Sequence, residues 1–371
     1  MRSPLRPLAP AALALALGAC VDGSVSSSAD TAAAAPTTMV VAPDEPFPDE
    51  RCAANRSAGE IVIAAEPRSL GAAGTTDVAV AADRGYFADL CLEVAVVTDE
   101  DPLGTLADGR AHFAVAPSFS EVVRRSLAGE TELLALTVDG RTSLDTLIVA
   151  PPTATDPIDP TGWTIAATGE LPRPVSELIG RLGASADAVE VTDPDDRRIV
   201  DLLGPIGDVD AVVGSKSTDV VALERDGVGI EVLDPREYGV AGSFGVLVTS
   251  AEFLDDNAIV TVDVVRAVLH GLDDAVATPD DAIESVADSP IGTVVAADDL
   301  ELASLRWLVE ADLIVTGTPE GVGFGSPVID TLQAELENST DAVGAADAAD
   351  HVADGVAASV YDGDALLIWP S

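Results

Sequence analysis

Short apolar runs alternate with helix-like segments in the first part of the chain. Residues 61–65 and 92–97 are apolar runs of the length of a strand buried in a parallel sheet. Between them, residues 76–86 have the pattern of a helix, and Thr75 or Thr76 stands where its cap would lie. A strand, a helix and a strand in this order predict a βαβ unit.

The same alternation occurs in two series. The first continues with predicted strands over 113–116, 133–138 and 146–150 and a helix over 120–127. The second has predicted strands over 163–167, 189–191 and 211–213 and helices over 175–182 and 198–203. Two such series predict an α/β protein of two lobes, each a mostly parallel sheet flanked by helices.

The N-terminus has the features of an export signal. Two arginines precede the apolar stretch 8–17, which is too short to span a bilayer. The stretch ends in Leu-Gly-Ala-Cys, which resembles the bacterial lipobox. We therefore expect residues 1–19 to be a lipoprotein signal peptide and Cys20 to carry lipid, which anchors the mature chain to the cell membrane outside the cytoplasm. Ordinary secretory cleavage near Ala19 is the alternative.

Residues 20–58 differ in composition from the rest of the chain. Ser, Ala, Thr, Pro and Asp dominate, and the apolar periodicity vanishes. Such a segment is typical of a flexible tether.

The net charge is strongly negative. The 371 residues include 64 acidic and 19 basic side chains, for a formal charge of −45. A field of this sign repels phosphate backbones and argues against nucleic-acid binding. The hydrophobic content of 47% supports a packed core and excludes wholesale disorder. The acids are spread along the chain, which is typical of a solvated surface; a cation-binding role is the alternative.

Two cysteines remain once Cys20 is lipidated. Cys52 and Cys91 would lie in an oxidising compartment, where they are expected to form a disulfide; two free or buried thiols are the alternative. The three histidines, His112, His270 and His351, lie far from one another along the chain, which argues against a zinc site and provides no evident general base. No catalytic motif is visible, so neither an enzyme nor a cofactor is predicted.

Five segments carry a resemblance to a known family. They are 83–87 with 92–94 (Asp-Arg-Gly-Tyr-Phe, then Leu-Glu-Val), 106–111 with 113–115, 159–165, 207–211 (Gly-Asp-Val-Asp-Ala) and 264–271 with 279–282. In this order they resemble the solute-binding proteins of ABC importers in the nitrate, sulfonate, taurine and thiamine-precursor (SsuA/ThiY-like) family. The resemblance covers about residues 61–336.

The resemblance implies a two-lobe, periplasmic-binding-protein-like (type II) fold. Lobe I would comprise 59–140 and 242–337, lobe II would comprise 141–241, and 338–371 would be an acidic C-terminal extension. A hinge is expected near 138–144 and 238–244, where glycines absorb torsion changes. The implied protein is a monomer that binds a small molecule between its lobes and delivers it to an ABC permease.

Loops that follow the strands of both lobes are the expected ligand site. Their hydroxyl and backbone N–H groups suit an anion or a polar neutral ligand. The candidate ligand-binding residues are Arg68, Thr75, Thr76, Ser118, Phe119, Thr168, Gly169, Ser215, Lys216 and Tyr238. No aromatic residue lies in 66–75, which argues against a thiamine-type ligand.

Most of these candidates also have a purely structural interpretation. Thr75, Thr76 and Ser118 stand where they would cap helices, and Thr168 with Gly169 is typical of a turn. Lys216 is equally consistent with a surface position in an acidic field. The rings of Phe119 and Tyr238 suit lobe packing as well as a ligand shelf.

The sequence therefore predicts an extracytoplasmic solute-binding protein that captures a small polar or anionic organic molecule. Two alternatives stay open at this point. One is a ligand-sensing or adhesive surface lipoprotein without a transport role. The other is an enzyme on the same fold, similar to pyrimidine synthases.

Overall fold

The computed structural model describes residues 39–67, 71–129, 131–149, 158–194, 198–203, 208–289, 297–339, 341–362 and 365–371. The predicted signal peptide, Cys20 and Arg68 lie outside these residues. None of the described helices combines the length and the hydropathy that a membrane span requires.

The strands are β1 (Glu60–Ala65), β2 (Glu93–Thr98), β3 (Phe113–Ala116), β4 (Leu133–Gly140), β5 (Asp145–Val149), β6 (Thr164–Ala166), β7 (Glu190–Thr192), β8 (Ala211–Ser215), β9 (Glu231–Leu233) and β10 (Phe244–Ser250). The helices are α1 (Asp49–Ser57), α2 (Thr76–Asp83), α3 (Tyr86–Asp89), α4 (Pro102–Ala107), α5 (Phe119–Ala128), α6 (Arg173–Arg181), α7 (Ile199–Leu202), α8 (Val221–Arg225), α9 (Ala251–Asp256), α10 (Ala258–Ala277), α11 (Pro279–Asp288), α12 (Ala297–Gly317) and α13 (Ile329–Leu336).

Two sheets with the same topology form the two lobes. The first has the order β2-β1-β3-β10-β4, and the second has the order β7-β6-β8-β5-β9. In the first sheet only β10 runs against its neighbours, and in the second only β5 does. The prediction of two lobes with mostly parallel sheets is confirmed.

Successive side chains of each strand in the first sheet point to opposite faces, and they pack into two separate cores. Ile61 and Ile63 of β1 face a core with α2, α10 and α12, whereas Ala64 faces a second core with α5 and α13. Trp307 of α12 is fully buried in the first of these, and its indole N–H donates to the Ala275 carbonyl (3.0 Å). Both faces of the sheet are therefore covered, which holds its loops in fixed positions.

Two short segments connect the lobes. The chain leaves the first sheet after Gly140 and enters β5 at Asp145, and it returns between Tyr238 and Phe244. The segments lie against each other, because a Cβ at Gly242 would stand 2.5 Å from the Ser143 backbone nitrogen. Only glycine permits this approach.

The N-terminal part of the fold differs from the expectation. The tether predicted up to residue 58 ends earlier, because Asp49–Ser57 forms helix α1. Arg51 and Asn55 of this helix are buried and bind Asp263 of α10 with donor–acceptor distances of 2.7 to 2.9 Å. These contacts reach across more than 200 residues, so local composition does not reveal them.

The predicted pairing of Cys52 with Cys91 is confirmed. The bond joins α1 to the turn that precedes β2. Cys91 has a φ of +59°, in the left-handed region that favours glycine. The disulfide therefore fixes a side chain at a position where the backbone geometry alone would select glycine.

The C-terminal segment packs on the first lobe. It forms two 3-10 helices, Ala348–His351 and Ala357–Val360, and Val352 bridges to Ala135 of β4. The Tyr361 hydroxyl donates to the Phe324 carbonyl (2.7 Å), and the Arg266 guanidinium donates to the Ile368 carbonyl. These contacts hold residues 348–362 and 365–371 against α10 and β4 of the first lobe. Asp341, nearer the start of the segment, pairs with Arg173 of the second lobe (2.6 Å).

Candidate functional site

A cleft lies where the carboxyl ends of strands from both sheets meet. A cavity of about 590 Å³ in this cleft is lined by the loop after β3, the first lobe-connecting segment, the loop after β6 and Ser215 at the end of β8. A smaller cavity of about 130 Å³ is lined by Glu66, Thr75 and residues of α12. Pro117 and Leu144 line both cavities, so the two are adjacent.

The first N–H groups of α5 donate hydrogen bonds to side-chain oxygen atoms of the protein itself. The Phe119 N–H donates to the Ser243 hydroxyl (2.8 Å), and the Ser120 N–H donates to Glu335 Oε1 (2.8 Å). Ser118 caps the helix, because its hydroxyl accepts from the Glu121 N–H (3.3 Å). The helix N-terminus that would otherwise receive an anion is thus satisfied internally.

Glu310 of α12 connects the two lobes. Its fully buried carboxylate accepts from the Ala73 N–H of the first lobe (2.7 Å) and from the Ser217 hydroxyl of the second lobe (2.6 Å). Arg306 on the same helix donates to it from Nε (3.0 Å). One carboxylate therefore takes a donor from each lobe at the edge of the smaller cavity.

In the second lobe, a carboxyl group likewise accepts a hydrogen bond from the backbone at the end of β8. The Ser215 N–H donates to Asp219 Oδ2 (2.7 Å), and burial raises the pKa of the Asp219 carboxyl. Lys216 is buried and pairs with Asp234 (2.9 Å). Burial lowers the pKa of Lys216, and the hydrogen bond that its ammonium donates to Asp234 opposes that change. The Lys216 ammonium is consequently engaged within the second lobe.

Buried carboxyl groups also line the larger cavity. Glu335 of α13 is 5% exposed, and burial raises the pKa of its carboxyl, although the hydroxyl of Ser243 opposes the change. Burial likewise raises the pKa of Asp145, and the Ser143 hydroxyl opposes it. Acidic side chains therefore outnumber basic ones in the lining of the larger cavity.

A comparison with protein families assigns this chain to one of them. A family model described as NMT1/THI5 like matches residues 73–282, which is more than half of the chain. The chain belongs to the NMT1/THI5-like family. Among curated proteins, none matches the chain. The resemblance inferred from the sequence motifs is confirmed.

Solved structures share the fold of this NMT1/THI5-like chain. A protein of Bordetella bronchiseptica RB50 is 17% identical, with a TM-score of 0.57 over 81% of this chain and 96% of that chain. The periplasmic sulfonate-binding protein SsuA of Methylobacillus flagellatus KT is 16% identical, with a TM-score of 0.55 over 81% and 93%. The aliphatic sulphonate binding protein SsuA of Escherichia coli is 14% identical, with a TM-score of 0.52 over 79% and 91%. These likenesses establish a two-lobe, type II binding-protein fold.

The structure brings only some of the candidate residues to the cleft of this NMT1/THI5-like protein. Thr75 lines the smaller cavity, and Ser118 and Ser215 line the larger one. Thr168 and Gly169 are exposed in the bend after β6, where the next residue, Glu170, lines the cavity instead.

The other candidates lie in the lobes themselves. Phe119 is fully buried in the first lobe, and Tyr238 packs on the core of the second lobe. Thr76 is the first residue of α2 and is also fully buried. Lys216 is held by Asp234, and Arg68 lies outside the described residues. Packing explains the two aromatic residues without a ligand.

Sequence reasoning missed Glu310 and Glu335. A signal was present, because Glu310 shares the buried face of α12 with Trp307 and Ala311, and Glu335 lies beside the buried Leu336 in α13. An acid on the apolar face of a helix is rarely buried without a partner. Helical periodicity would therefore have singled out both residues.

A pair of buried carboxyl groups lies behind the smaller cavity. Asp77 of α2 and Asp139 of β4 are fully buried, and none of their carboxyl oxygens has a hydrogen-bond partner within the described part of the chain. Burial raises the pKa of Asp77 to about 7. Burial, followed by the charge of Asp77, raises the pKa of Asp139 well above its ordinary value. The folded state therefore favours protonated forms of this pair.

Because of the buried pair Asp77 and Asp139, we expect the stability of the protein to fall as the pH rises. Between about pH 4 and pH 7 the folded state binds more protons than the unfolded state, so the free energy of unfolding decreases with pH. Asp77→Asn should remove this penalty, with a stabilisation of roughly 2 kcal/mol at pH 8 and little gain at pH 4. Chemical denaturation of both proteins across this range measures the effect. Asp89→Asn, at an exposed position, is the control, and equal gains at both pH values would contradict the prediction.

Proposed function

We propose that this protein is the solute-binding component of an ABC importer. The observation that carries the proposal is the interlobe cleft, because its walls are loops at the strand ends of both sheets. Type II binding-protein folds hold ligands in this position, and SsuA of Escherichia coli is described as an aliphatic sulphonate binding protein. Family membership adds support.

The protein acts by binding and performs no chemistry. A solute that contacts both walls of the cleft favours the closed arrangement of the lobes by its differential affinity for that state. The two short connecting segments are the hinge, and the closed form is what a permease recognises. In this proposal Cys20 carries lipid, and the mature chain is an extracytoplasmic monomer anchored to the membrane.

A thermal-shift screen of the full chain tests the proposal. The panel contains sulfonates, nitrate, bicarbonate, pyrimidines, amino acids, aromatic acids and organic amines. A solute at 100 times its dissociation constant should stabilise the folded state by about 2.7 kcal/mol, which raises the melting temperature by several degrees. A folded protein that responds to no class would contradict the proposal and favour a surface role without solute capture.

A further inference from the structure

Four donors around the cleft are already used by carboxyl groups of the protein. Glu310 takes the Ala73 N–H and the Ser217 hydroxyl, Glu335 takes the Ser120 N–H, and Asp219 takes the Ser215 N–H. An incoming sulfonate, nitrate or carboxylate would have to displace these carboxylates, which are themselves negative. Anion binding at these positions is therefore opposed twice, by occupied donors and by like charge.

The charges around the cleft also disfavour an anionic ligand. The smaller cavity is lined by two acids and one arginine, and the larger by four acids and two arginines, among the described residues. Each arginine already has a carboxylate partner. Arg306 pairs with Glu310 (3.0 Å), Arg173 with Asp341 (2.6 Å) and Arg124 with Glu121. The remaining charge of the larger cavity is negative.

Among the acids that line the larger cavity, Glu335 has a buried carboxyl oxygen without a hydrogen-bond partner in the described structure. Its Oε1 accepts from Ser120, but its Oε2 is buried and has no hydrogen-bond partner anywhere in the described ranges. In the same cavity, Asp145 accepts from the Ser143 hydroxyl (3.4 Å) and is affected by the charge of Lys216, whereas Glu170 is exposed. The Ser243 hydroxyl lies near the Glu335 carboxyl and lowers its pKa, but one buried oxygen still lacks a hydrogen-bond partner from any described residue. Such an oxygen is costly, and a bound cation would stabilise the carboxylate by its charge.

We propose that the solute carries a positively charged ammonium or guanidinium group, which binds in the larger cavity beside Glu335 and Asp145. Glu310 excludes anionic groups from the smaller cavity by occupying its donors. This assignment rests on the proposed solute-binding function and narrows its ligand from small polar molecules in general to organic cations.

Two series of small molecules with matched skeletons test the charge of the solute. The two-carbon series is ethanolamine, taurine and isethionate, and the four-carbon series is putrescine, 4-aminobutyrate and succinate. We expect thermal stabilisation of the full chain by the cation of each series, less by the zwitterion and none by the anion, at constant ionic strength.

The outcomes separate the two proposals. Stabilisation by the anions alone would overturn the charge assignment and leave the solute-binding function standing. Silence across both series and across the broad screen would overturn the function itself, and the charge assignment with it.

Neutralisation of Glu335 tests the assigned position. Glu335→Gln keeps the size of the side chain and an acceptor for the Ser120 N–H, and it should weaken binding of the best cationic probe about tenfold by calorimetry. Glu337→Gln, at an exposed position one residue beyond α13, is the matched control and should leave the affinity unchanged. An unchanged affinity in Glu335→Gln would contradict the assignment. Asp145→Asn gives the same test if Glu335→Gln does not fold.

The anion-excluding role of Glu310 has its own test. Glu310→Gln removes the negative charge that pairs with Arg306 in the smaller cavity and replaces it with a neutral amide. The variant should bind isethionate measurably where the parent protein does not. Binding of isethionate that is equally absent from both proteins, with the variant folded, would contradict this role.

Discussion

Asp263→Ala should lower the free energy of unfolding by about 3–5 kcal/mol. The Asp263 carboxylate is fully buried and accepts from Arg51 and Asn55 of α1, and Arg266 of the same helix lies 3.7 Å from it. Removal of the carboxylate would leave two guanidinium groups buried with no anion between them. Urea denaturation of the variant measures the loss.

The Asp263 prediction has a simple control. Asp255→Ala removes a carboxylate at an exposed position in α9 and should change the free energy of unfolding by less than about 0.5 kcal/mol. A loss in Asp263→Ala no larger than in this control would show that α1 is not held by the buried ion pair.

Loss of the disulfide should have the second largest effect. The bond closes a loop with a sequence separation of 39 residues, and the double variant Cys52→Ser/Cys91→Ser should lose about 3–4 kcal/mol in the chain-entropy model. A reductant should lower the melting temperature of the parent protein and leave that of the double variant unchanged. Identical melting temperatures of the parent protein with and without reductant would contradict the prediction.

A second variant separates cross-linking from backbone strain. Because Cys91 has a φ of +59°, Cys52→Ser/Cys91→Gly should be about 1 kcal/mol more stable than the double serine variant. Equal stability of the two variants would show that the turn before β2 relaxes when the bond is removed.

Much of the fold could be predicted because it is encoded locally. The strands over 61–65 and 113–116 are continuous apolar runs, as buried parallel strands must be, and they were placed to within one residue. The predicted helix over 76–86 is interrupted because Gly85 adopts a φ of +79°, which separates α2 from α3. Helix α1 was missed because its stability comes from distant partners, Asp263 and Cys91.

The candidate site was harder to predict for a similar reason. Ser118 and Ser215, in the loops predicted after two strands, line the larger cavity. We expected free N–H groups in these loops. Instead, N–H groups at the cleft donate to carboxyl groups on helices far along the chain. Glu310 and Glu335 reach Ala73 and Ser120 across 237 and 215 residues. The acidic composition, explained as a solvated surface, also contributes carboxylates to the interior of the cleft.

The most direct test of the central claim is a calorimetric titration of the full chain with the solute that the screen identifies. We expect one solute per chain and loss of binding in Glu170→Trp, which places a large side chain at an exposed position in the cavity wall. Glu190→Trp, at an exposed position in β7, should bind as the parent does. Unchanged binding in Glu170→Trp, or more than one solute per chain, would place the site outside the cleft and contradict the account.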